Sequence, residues 1–217
     1  MVAIAYPIAI GLGRGAVWGW RAWRAYRTAK ALEAAAQAAD ALAQANQQAE
    51  ELDDSQARDE TCDGCATQVP CFDLPPGMDR EEFARQLKEQ QDTINNMTAD
   101  EMAYAHWVLE KAGTTRLVRD QGAQRQARNN YRRMLERQNK SDAEIEAIMN
   151  SVNATHFLDI VAGGDPSRVG IGGADANQEI GRQWIRDNRT QTLRDAAEKM
   201  RQEGRAGEKM NVELSIC

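Results

Sequence analysis

Two capping boxes constrain this chain more than any other feature. In Thr98-Ala-Asp-Glu101 and Ser141-Asp-Ala-Glu144 a hydroxyl can accept from the backbone three residues on while the glutamate reaches back, so each string marks a helix start. The first leads into Met102, Ala105 and Leu109 and stops at Gly113; the second leads into Ile145, Ile148, Met149 and Val152, apolar positions at helical spacing. Upstream, Asp79-Arg-Glu-Glu-Phe83 has the acidic first turn of another helix, running towards Asn95-Asn96. A further, arginine-rich helix is predicted over residues 114–138. Few β-branched runs remain from which to build a sandwich or barrel. The expected fold is mainly α: a helical body with Gly-rich loops at its candidate site, preceded by an N-terminal helical appendage.

The length of 217 residues suits one domain plus that appendage better than two full domains. The boundary is drawn at the acidic run ELDDSQARDE, giving an appendage over 1–59 and a body over 60–217. Residues 2–23 are the most apolar of the chain, but a spanning helix would have to bury Arg14 and Arg21, each expensive at a bilayer centre. Gly15 and Gly19 form the spacing that lets helices approach closely. Trp18, Trp20, Trp23 and Tyr26 alternate with Arg21, Arg24 and Arg27, a mixture suited to a membrane interface. Docking on a chaperone or carrier, transient membrane contact and an unstructured tail all stay open for this segment.

The formal net charge of −6 argues at first against a nucleic-acid partner. The charge is unevenly spread, however. Residues 111–140 carry nine basic against two acidic side chains, whereas 61–110 carry three against ten. The basic stretch includes Arg125, Arg128, Arg132 and Arg133, of which the first three share one helical face at i, i+3 and i+7. These four are the candidate nucleic-acid-binding residues. Their alternative role is a solvated face or the docking site of an acidic protein.

Cys62, Cys65 and Cys71 lie within TCDGCATQVPC, and Cys217 ends the chain. Two thiolates at C-x2-C spacing can grip one metal from a tight turn, so a structural Zn²⁺ site on Cys62, Cys65 and Cys71 is one reading. A disulfide among these three, or reduced thiols in a loop, are the others.

The most informative stretch is THFLDIVAGGDPSRVG at 155–170. The chain has two histidines. His106, mid-helix beside Trp107, reads as a packing or surface residue. His156 precedes Asp159 by three positions, which on a helix puts the two side chains ~60° apart on one face. An imidazole beside a carboxylate can act as general base on water, with the carboxylate orienting it or holding a cation. Gly163-Gly164-Asp165-Pro166 follows as a turn whose glycines would let backbone approach a ligand, with Asp165 either a supporting acid or the cap of its own turn. GIGGADANQEIGRQW reads as a second such turn, bringing Asp175, Asn177, Arg182 and Gln183.

The string His156-x-x-Asp159, Val161-Ala-Gly-Gly-Asp-Pro166, then Gly172, Asp175, Asn177, Ile180-Gly181 and Gln183-Trp184 resembles the polymorphic-toxin type 15 nuclease domain. The likeness extends upstream to Met97-Thr-Ala-Asp100-Glu101 and the Arg/Gln-rich helix ending at Tyr131, covering roughly residues 60–200. It implies a DNase effector of a bacterial type VI secretion system, with His156 and Asp159 as catalytic residues and candidate metal ligands. It further implies a cognate immunity protein, and an adaptor-chaperone and secretion spike engaged through the N-terminal region. Synthesis would be in the producer's cytoplasm and action in the target cell's cytoplasm.

On this reading His156 deprotonates a water or binds a metal that does so, and Asp159 holds a divalent cation, Mg²⁺ by preference, against the scissile phosphate. The arginines neutralise backbone phosphates without regard to sequence. Two rivals stay open: an RNase built on the same site, and a non-enzymatic effector that permeabilises membranes or binds a partner.

Overall fold

The computed structural model describes residues 66–217. The predicted appendage, its Gly15/Gly19 spacing, Cys62 and Cys65 lie outside the described residues. Within them the fold is mainly α, as the caps require. Helix α1 spans Arg80–Asn95 and starts on Asp79, whose carboxylate accepts from the Glu81 and Glu82 amides. Helix α2, Ala99–Ala112, carries the first capping box in full and ends on left-handed Gly113 at φ 67°. Helix α3 spans Gln121–Arg137, and α4, Asp142–Ser151, carries the second box. Helices α5, Ala174–Trp184, and α6, Arg189–Gln202, complete the set.

The arginine-rich helix begins at 121, not 114. Thr114 instead caps a 3-10 turn over Thr115–Leu117, Val118 is buried, and the Asp120 carboxylate takes the Ala123 amide to start α3 afresh. Four short strands lie between and around the helices. Strand β1 is Thr67–Gln68, β2 Val152–His156, β3 Val169–Gly173 and β4 Val212–Glu213. β2 and β3 form an antiparallel hairpin in which Val152 pairs with Gly173 and His156 with Val169. Two expectations are corrected here: residues 152–156 leave α4 as strand, and Val169–Gly173 of the second Gly-rich turn is strand too. The glycines give β3 a bare surface against which α1 can press. A Cβ on Gly172 would lie 2.8 Å from Gln86, and one on Gly173 2.9 Å from Glu82.

One apolar cluster runs from Val69 to Leu214, with Trp184, Phe72, Phe83 and Ile180 fully buried and Phe72 edge-on to Trp184 at 5.1 Å. Large rings meeting edge to face gain beyond their buried area. A smaller cluster of Leu135, Ile145 and Met149 joins α3 to α4. The Arg128 guanidinium ties that pair to the hairpin, donating to the Val152 carbonyl at 2.6 Å and the Met149 carbonyl at 2.9 Å.

The ends of the body are fastened together. β1 pairs in parallel with β4, Phe72 bridges Ile216, and Cys71 is disulfide-bonded to Cys217 with Cα atoms 5.2 Å apart. The sequence reading of Cys71 as a partner of Cys62 and Cys65, in zinc or disulfide, is thereby corrected. The returning C-terminal strand brings Cys217 closer than local spacing could reveal, and a thiol in a disulfide is no zinc ligand.

Candidate active site

Strand β2 delivers His156 at its end, and the chain then breaks rather than continuing as helix. Asp159 has extended backbone (φ −57°, ψ 141°) and caps a 3-10 turn over Ile160–Ala162, its Oδ1 accepting the Val161 amide at 3.0 Å. The shared helical face expected for His156 and Asp159 therefore does not exist. The two remain electrostatic neighbours across a strand-to-turn junction, since the Asp159 charge favours a protonated His156. Burial acts more strongly in the opposite sense, aided by the Arg119 charge, so the imidazole is held below its ordinary value and is neutral at pH 7. Its Nε2 is enclosed and has no hydrogen-bond partner among the described residues.

Buried groups from distant elements hold Asp159 in place. Gln90 on α1 is 5% exposed, and its Oε1 accepts both the Asp159 amide at 3.2 Å and the Trp184 indole N–H at 2.6 Å. On α5, a Cβ at Gly181 would lie 2.9 Å from Asp159 Oδ2, so only glycine leaves the carboxylate its present space. Gln90 carries no signal in the sequence. It sits in a polar run and becomes buried only through packing.

The Gly163-Gly164 turn serves the chain itself rather than a ligand. A Cβ on Gly164 would fall 1.8 Å from the Leu158 carbonyl oxygen, and Gly163, at φ 97°, lies over Met102, Ala105 and His106. Asp165 takes the capping role: its Oδ1 accepts from the Ser167 amide at 2.8 Å and hydroxyl at 2.7 Å. His106 is a packing residue, 3% exposed, and burial pushes its imidazole down to about 4.

Asp159 opens onto a cleft of about 760 Å³ between α3, the hairpin and α5. Among the described residues four arginines line it, Arg119, Arg125, Arg128 and Arg182, and Asp159 is its one carboxylate. His156 is set behind this wall rather than in it. Of the arginines singled out in the sequence, Arg125 and Arg128 reach the cleft. Arg132 pairs with Glu146 at 2.6 Å, and Arg133 donates to Asn130 at 2.6 Å, both outside the cleft wall. A neighbouring cleft of about 830 Å³ shares Gln178 and Arg182 but sets Asp79, Glu82 and Asp175 against Arg85 and Arg182. The arginine-walled cleft is thus the one whose charge suits a polyanion. Among the described residues no three His, Cys, Asp or Glu side chains group as a metal site.

No curated protein matches the chain. The profile of the family described as Novel toxin 15 matches residues 77–215, which takes in every element from α1 to β4, both halves of the hairpin and the whole arginine-walled cleft. That span is well over half of the sequence, and the chain belongs to the Novel toxin 15 family of polymorphic toxins.

Proposed function

We propose that this toxin is a nuclease that hydrolyses DNA phosphodiester bonds in the arginine-walled cleft, using His156 and Asp159. The observation that carries the reading is the cleft's composition: among the described residues four arginines and a single carboxylate line it, and that carboxylate belongs to the H-x-x-D pair. Phosphates are drawn in by charge, and sequence plays no part in that attraction. With its other ring nitrogen bonded to the Pro166 backbone, neutral His156 would keep the lone pair on Nε2, which has no hydrogen-bond partner among the described residues. It would take the proton of the attacking water as the new P–O bond forms and the bridging P–O bond breaks, once side-chain movement opens it to the cleft.

A divalent cation fits this site only if substrate completes its shell, because Asp159 is the one carboxylate available to hold it. Mg²⁺ is commonly bound that way, through one or two carboxylates and substrate phosphates. When bound, such an ion supplies charge neutralisation at the phosphate.

The wider reading is an antibacterial effector loaded on a type VI secretion system through its N-terminal region and an adaptor-chaperone. It would act in the target cytoplasm and be restrained in the producer by an immunity protein. The test is plasmid DNA and structured RNA incubated with purified protein and Mg²⁺, with and without EDTA. DNA should be degraded, EDTA should stop degradation, and His156→Ala or Asp159→Ala should abolish it with unchanged circular dichroism. Full activity in either variant overturns the site. No cleavage of either nucleic acid by the wild type overturns the nuclease reading in favour of a non-enzymatic effector.

A further inference from the structure

The four arginines of the cleft are not equivalent. Arg128 spends its guanidinium on the Val152 and Met149 carbonyls. Arg182 makes a two-pronged pair with Glu179, at 3.0 and 2.5 Å. Arg119 and Arg125 have no side-chain hydrogen bond or ion pair among the described residues, although both line the cleft. An unpaired guanidinium facing a concave wall with one carboxylate has its hydrogen-bonding fork free for an oxyanion.

Position separates these two. Both are exposed, but Arg125 stands on α3, one turn in from its start. Arg119 sits in the short link between the 3-10 turn and Asp120, where both sides are fixed. Its own amide and that of Val118 donate to the Thr115 carbonyl at 3.1 Å, Val118 is 3% exposed, and Asp120 caps α3. Among the cleft arginines, Arg119 is also the one whose charge bears on the His156 imidazole, which places it on the side of the reacting pair.

We propose that Arg119 binds the scissile phosphate and stabilises the charge that develops there during cleavage, while Arg125 holds a flanking phosphate. This rests on the nuclease reading. It narrows the sequence-based assignment, which gave the backbone phosphates to the arginines of 116–137 collectively and singled out Arg125, Arg128, Arg132 and Arg133. A contact to the reacting phosphate strengthens as negative charge builds, so its loss falls mainly on kcat. A contact to a flanking phosphate binds ground and transition states alike, so its loss falls on KM.

Steady-state cleavage of linear duplex DNA with Mg²⁺ would be compared for the wild type, Arg119→Ala, Arg119→Lys, Arg125→Ala and Arg205→Ala. Arg205, paired with Glu203 and Glu208, removes the same charge from a turn outside the cleft. Arg119→Ala should lower kcat by about 10²–10³-fold, the scale of losing one transition-state donor, with KM changed by less than about threefold. Arg119→Lys should regain part of that loss and also serves if the alanine variant does not fold. Arg125→Ala should raise KM and reduce the salt dependence by about one phosphate, and Arg205→Ala should match the wild type. A wild-type kcat in Arg119→Ala, or a loss confined to KM, overturns the assignment while leaving the nuclease reading intact. A wild type that cleaves neither DNA nor RNA removes both.

Discussion

Gly181 shows how a residue without a side chain can control one with chemistry. It lies inside α5, where alanine would favour the helix by about 1 kcal/mol. Yet the added methyl carbon would sit 2.9 Å from Asp159 Oδ2, and Asp159 cannot retreat easily because Oδ1 holds the Val161 amide and its own amide is held by Gln90. Gly181→Ala should therefore leave the melting temperature near that of the wild type, the helix gain of about 1 kcal/mol being offset by the cost of displacing the carboxylate, while cutting DNA cleavage at least about tenfold, a barrier change of about 1.4 kcal/mol. Unchanged activity in a folded variant would show that the carboxylate's position is not critical. At this scale the sequence was partly legible. The turn-capping alternative for Asp165 could be read from residue type and spacing, whereas the H-x-x-D pair stood out only through the resemblance to a known family, and mid-helix His106 was open between packing and surface until the fold buried it. The purpose of the glycines could not, because what a missing Cβ makes room for is a neighbour supplied by the fold: the Leu158 carbonyl at Gly164, and the Asp159 carboxylate at Gly181.

Helices were read well where their ends carry chemistry and poorly where they do not. Thr98, Ser141 and Asp79 each satisfy the orphan amides of the helix they open, and these signals are local by nature. The hairpin was missed because β3 is VGIGG, whose three glycines have little strand preference, and β2 follows α4 with no breaker between. Both strands exist because α1, α3 and α5 pack around them. Arg128 is central to this arrangement, and sequence alone would spend it on DNA. With its two carbonyl partners on α4 and β2, it acts as a clamp between elements. Hydrogen bonds to a charged group contribute about 1.5–3 kcal/mol each, so Arg128→Ala should lower the stability of the folded body by about 2–4 kcal/mol. Arg133→Ala, on the same helix but bonded only to exposed Asn130, should change it by less than about 0.5 kcal/mol. Urea unfolding of the two variants separates a clamp from a surface charge: equal midpoints would refute the clamp.

For the molecule as a whole, the net charge of −6 is no barrier to a polyanion, because four arginines are gathered in one cleft and acidic side chains line the next. Its integrity depends on joining distant parts of the chain. Arg189, 2% exposed, stacks over Phe72 at 4.8 Å, donates to the Pro70 carbonyl at 3.0 Å and bonds the Cys71 carbonyl, while its Nη1 holds the Gln183 carbonyl and Asp187. The same segment is locked to the C-terminus by Cys71–Cys217, across a sequence separation of 146. A crosslink closing a loop of that length removes about 5 kcal/mol of unfolded-state freedom on the chain-entropy argument, within an observed range of about 2–5 kcal/mol for native disulfides. Cys217→Ser should accordingly lower the unfolding free energy by about 2–5 kcal/mol. Dithiothreitol should bring the wild type down towards the variant. The loss should fall on the whole body rather than on the tail alone, because β4, Arg189 and the Phe72–Trp184 contact share one core. Hydrogen exchange distinguishes these cases: faster exchange confined to residues 210–217 would mean the disulfide only pins an end, whereas faster exchange in α5 and the Asp159 turn would show that it supports the cleft.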